Sequence, residues 1–132
     1  MEKLPVLLLS LAFLFFSTGC GHRSLDDFQE EGEGVVRALI QDLRLIQTRD
    51  DLIASSSRIQ RHFEKLAYIM VEAEMFYSLY PEKERGGRLN HELSDRLRIE
   101  LNRLYSLEGG CQVIERIQER ALCILYANNR KS

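Results

Sequence analysis

Residues 52–80 read LIASSSRIQRHFEKLAYIMVEAEMFYSLY. Leu52, Ser56, Ile59, Phe63, Leu66, Met70, Ala73, Tyr77 and Tyr80 recur at strictly alternating intervals of four and three. A helix turns once every 3.6 residues, so this spacing draws one stripe down one face, which needs a partner to cover it. Pro81 should end the segment, because proline biases Tyr80 away from helical geometry and cannot continue the backbone ladder.

The flanking sequence repeats the pattern. From Gly34, Val36, Leu39, Leu43 and Ile46 fall three, four and three apart, and Thr48, Asp50 and Asp51 supply cap oxygens and first-turn carboxylates for a restart. Glu82 to Arg88, with Gly86-Gly87, reads as an exposed loop. A third helix is expected near Asn90, carrying Leu93, Leu97, Leu101 and Leu104, and closing at Gly109-Gly110. A fourth is expected from Cys111 to Ala127, with Ile114, Ile117, Ala121, Leu122 and Leu125 on its apolar face. No segment alternates with period two and no Asn-Gly or Asp-Gly pair marks a hairpin, which excludes a β fold. The expected class is all-α: a small antiparallel bundle of about four helices over residues 34–132.

The N-terminal region has a different character. Lys3 precedes a near-unbroken apolar run from Leu4 to Phe16, followed by Ser17-Thr18-Gly19-Cys20. The run suits the core of a secretory signal and is shorter than the ~20 residues a membrane-spanning helix needs. Thr18-Gly19-Cys20 resembles the lipobox of bacterial lipoproteins; the position three before the cysteine, usually leucine, is here Ser17. The same residues also fit an ordinary cleaved signal or an uncleaved anchor. The resemblance implies removal of residues 1–19, lipid attachment to Cys20 and stable tethering, since a lipoprotein cysteine carries two or three acyl chains. In such lipoproteins an aspartate after the cysteine favours the inner membrane; Gly21 stands there instead, which implies the outer membrane. Residues 20–33, polar, acidic and glycine-bearing, are expected to form a linker, although Leu25 and Phe28 could open a helix.

Charge restricts the partners. Removing Glu2 and Lys3 with the leader leaves the formal charge of −2 unchanged, so nothing draws the mature chain toward nucleic acid. Asp26, Asp27, Glu30, Glu31 and Glu33 follow one another without an intervening cation, a stretch that anionic headgroups repel.

Chemistry-bearing patterns are sparse. His91-Glu92-Leu93-Ser94-Asp95 has Asp95 where a zinc-protease helix needs its second histidine. No histidine follows a glutamate by three residues, as di-iron bundles require. Ser55-Ser56-Ser57 lacks a glycine elbow, and His62, beside Phe63, fits a boundary position. No catalysis, cofactor or metal site is expected. Cys111 and Cys123 lie twelve residues apart, ~18 Å along one helix, which forbids a bridge between them if that helix is continuous. They could be two buried, reduced thiols. The alternative is an intermolecular disulfide through Cys111, whose place at a helix start should lower its pKa, with Cys123 shielded.

Phe76, Tyr77 and Tyr80, beside Arg85 and Arg88, form a candidate interaction patch, since tyrosine and arginine are common in binding hot spots. The expected function is a membrane-tethered structural or protein-interaction module with an envelope protein as partner. The alternative is a carrier holding a lipid or apolar ligand between its helices. An apolar cavity would favour the carrier, and a filled core with exposed apolar side chains the module. Oligomeric state is not legible in the sequence.

Overall fold

In a computed structural model, residues 24–82 and 90–131 are described. They form four α-helices: α1 Leu25–Arg44, α2 Arg49–Leu79, α3 His91–Tyr105 and α4 Gly110–Asn129. Among the described residues there is no strand, and the chain forms the expected all-α bundle.

α1 begins nine residues earlier than Gly34. Ser24 Oγ accepts the amide N–H of Asp27 while the Asp27 carboxylate accepts the N–H of Ser24, a reciprocal capping box that satisfies two otherwise orphaned donors. Residues 25–33, expected as linker, are therefore helical. Phe28 is buried, and its packing against α2 offsets the cost of ordering a segment that includes Gly32. Thr48 and Asp51 form a second capping box that starts α2 after a four-residue turn.

Ion pairs and aromatic contacts fix the helix directions. Asp42 Oδ2 accepts His62 Nε2 at 2.7 Å and pairs with Arg58 Nε at 3.3 Å, while Phe28 meets Phe76. Residues late in α1 thus face residues early in α2, an antiparallel hairpin. α3 and α4 form the second hairpin, turned by Gly109. Between hairpins the pairing is parallel: Arg44 meets Glu100 at 3.7 Å on the α1–α3 side, and Arg120 meets Glu64 at 3.1 Å on the α2–α4 side. Each helix packs against two others, and α2 and α3, consecutive in the chain, stand diagonally opposed without contact among their described residues.

The glycine pair at the second turn divides its work. Gly109 takes φ 72°, the left-handed region, and serves as the N-cap of α4. A Cβ on Gly110 would lie 2.1 Å from the carbonyl oxygen of Leu104, so only glycine permits this close approach.

The main core contains Leu39, Leu43, Ile46, Leu52, Ile59, Leu104, Ile114 and Ile117, from all four helices. A second cluster, Phe28, Val35 and Ile69 with Leu66, Ala73 and Phe76 packed against it, comes from α1 and α2 alone. The bundle therefore tapers toward the start of α1 and the end of α2. At 31 residues α2 is ~46 Å long, whereas the 15 residues of α3 reach ~22 Å. Stripe positions beyond the reach of α3 lose their cover: Met70, expected in the core, is 54% exposed, Tyr80 is exposed and Tyr77 only half-buried. Leu122, expected on the apolar face of α4, is exposed because it follows buried Ala121 by one residue and so points ~100° away from the face formed by Ile114, Ile117 and Ala121.

Candidate interaction site

The aromatic group proposed from sequence separates into distinct parts. Phe76 is half-buried and packs edge-on against Phe28, with ring centroids 5.9 Å apart, and Tyr80 meets the same ring at 4.9 Å. Phe76 therefore ties α1 to α2 and supports Tyr80. Tyr77, one residue on, points ~100° around the helix and is half-buried. Arg85, Arg88 and Cys20 lie outside the described residues.

The structure adds residues that the sequence reading missed. Tyr68, Met75 and Leu79, at spacings of seven and four, share the outer face of α2 and are all exposed. Met70, Leu122 and Tyr126 are exposed on α2 and α4. For Met70, helix length is the signal that could have exposed it: a helix of 31 residues in one bundle with a helix of 15 leaves its last turns without a fourth neighbour.

The surface clefts are open to solvent and mix charged with apolar side chains in their lining. One of about 240 Å³ lies between α2 and α4, lined by Arg49, Gln60, Gln112 and Arg116 with Ile53, Ser56, Val113 and Ile117. Another, about 160 Å³, lies between α1 and α3 and is lined in part by Arg37, Gln41, Arg44 and Arg96. Neither offers an apolar ligand the enclosed, largely apolar surroundings of a carrier. Among the described residues, no three His, Cys, Asp or Glu side chains come together as metal ligands would.

Both thiols differ from expectation. Cys111 and Cys123 are free and exposed on one continuous helix, so neither the buried pair nor a shielded Cys123 is found. Cys111 Sγ donates to Glu115 Oε1 at 3.5 Å. Partial desolvation, then this hydrogen bond and the carboxylate's charge, push the Cys111 thiol above its ordinary pKa rather than below it. The helix start is overridden by desolvation first and then by Glu115, one turn on, which accepts the thiol's hydrogen bond. Desolvation and the same two neighbours also push the Tyr105 phenol up.

His62 is paired rather than idle, joining Arg58 on Asp42 as a polar clasp between α1 and α2. Comparison of the chain with protein-family models, curated proteins and solved structures gives no match. Among the described residues no helix is long and apolar enough to cross a membrane.

Proposed function

We propose that this chain is a lipid-anchored module of a bacterial cell envelope, attached through Cys20, in which the helical bundle binds another envelope protein. The observation that carries the reading is a filled four-helix core beside exposed apolar side chains, Met70 on α2 and Leu122 and Tyr126 on α4. Single apolar residues are ordinary on a protein surface, but several large ones left exposed on two helices that pack together suit a partner that excludes water from them. The lipobox-like Thr18-Gly19-Cys20 supports the anchor, and the outer membrane is the proposed site.

Two measurements test this reading. Metabolic labelling with a fatty-acid analogue should mark the wild-type chain and not Cys20→Ser; undiminished labelling of the variant sinks the anchor. A photo-cross-linking residue at Tyr126 or Met70 should capture one and the same envelope protein, whereas the probe at exposed Arg61 should not. Equal capture from all three positions argues against a defined surface.

A further inference from the structure

The tapered end of the bundle is both apolar and close to the proposed anchor. The Phe28–Phe76 contact sets the start of α1 beside the end of α2. There Leu79 is 72% exposed, Met75 56% and Tyr80 46%. The capping box at Ser24 shortens the expected linker: the N-cap stands only four residues after Cys20, a length that spans at most ~14 Å. A headgroup layer is itself ~5–8 Å deep, so a lipid-bearing Cys20 holds this end against the membrane rather than on a long leash.

Resting on the lipidation of Cys20, we propose that the tapered end docks end-on onto the lipid surface, with Leu79, Tyr80 and Met75 entering the interfacial layer. Tyrosine suits that layer, presenting an apolar body and a polar tip. Exposed Asp26, Asp27, Glu30 and Glu82 ring the same end, and their charge selects zwitterionic over anionic headgroups. The partner-binding flank, Met70 and Tyr126, lies further along the bundle and stays in water until its protein partner arrives.

The chain has no tryptophan, so Tyr80→Trp and Tyr68→Trp each give a single reporter in the full-length, processed protein. Tyr68 lies twelve residues earlier in α2, ~18 Å along the axis. On phosphatidylcholine vesicles with brominated acyl chains, emission from the indole of Tyr80→Trp should shift to the blue and be quenched, while that of Tyr68→Trp should match its emission in buffer. Replacing part of the lipid with phosphatidylglycerol should reduce the quenching in Tyr80→Trp. Intact mass reads acylation separately. An acylated Tyr80→Trp protein whose indole is unquenched overturns the end-on docking and leaves the anchor standing. Equal quenching in both variants means that α2 lies flat, and stronger quenching on phosphatidylglycerol reverses the assigned headgroup preference; either result overturns the proposal. A chain without acyl mass at Cys20 overturns the anchor and the docking together.

Discussion

Nη2 of Arg103 donates to the carbonyl oxygen of Leu43 across 2.7 Å, and Nη1 reaches Ile46 at the same distance. The Leu43 carbonyl already accepts the N–H of Ile46 in the turn that closes α1, and the guanidinium from α3 adds a charged donor there while also reaching the turn carbonyl of Ile46. Glu100 Oε2, 3.0 Å from Arg103 Nε, holds the guanidinium in place. Arg103→Ala should cost about 1.5–3 kcal/mol, the range for hydrogen bonds to a charged group. Arg103→Lys should recover only part of that, because an ammonium lacks the planar fork that serves both carbonyls. Urea melts of the three proteins check the order.

Glycine substitutions should act in opposite directions. A Cβ at Gly32, inside α1, would meet nothing within 4 Å, so Gly32→Ala should stabilise by about 0.5–1 kcal/mol through helix propensity. Gly110→Ala drives a methyl onto the Leu104 carbonyl and should lower the melting temperature. Stabilisation by the second change would mean that the α3–α4 turn is built differently.

Acid should weaken the start of α2. The backbone N–H groups of Gln47 and Thr48 donate to the Asp51 carboxylate and hold its pKa below the ordinary 3.8. A lowered folded-state pKa means the unfolded chain binds the proton more readily. The stabilisation is therefore complete above the ordinary value and is lost as pH falls through the lowered one. Asp51→Asn should flatten this part of the pH–stability curve. Thr48→Ala, which removes the reciprocal cap, should cost about 1 kcal/mol at neutral pH.

Cys111 should be a slow thiol despite its exposure. Only the thiolate alkylates, and desolvation together with the Glu115 hydrogen bond and charge keeps the proton on sulfur. Glu115→Gln should speed alkylation of Cys111 at fixed pH and leave the rate at Cys123 unchanged, read by peptide mass mapping. An unaltered Cys111 rate would remove Glu115 from the account.

Local pattern and tertiary reach explain what was legible. The alternating stripe of α2, the Thr48–Asp51 restart and Pro81 are decided within one or two turns of chain, and α2 ends at Leu79 as they imply. Ser24-x-x-Asp27 was an equally local signal for the start of α1, hidden by the glycines at 21, 32 and 34 that made the stretch resemble a linker. Exposure of Met70 was not local: it depends on how far another helix extends beside it. The docking of Arg103 onto a helix end 60 residues away leaves no periodic trace, so that contact came only from the fold. Within the candidate site, Phe76 and Tyr80 were visible as aromatic bulk, but the division between support and surface needed the position of Phe28.

The diagonal placement of α2 and α3 bears on how the chain assembles. Each hairpin closes over a short stretch of sequence, whereas every contact between hairpins joins distant residues, as Leu43 and Arg103 do. Loop closure must be met before distant contacts reward it. The topology thus favours early formation of α1–α2 and α3–α4 as separate units and late docking of one on the other. Bonds that form after the barrier govern how long the native state lasts, so on this order of assembly Arg103→Ala should speed unfolding more than it slows folding, as stopped-flow kinetics would read.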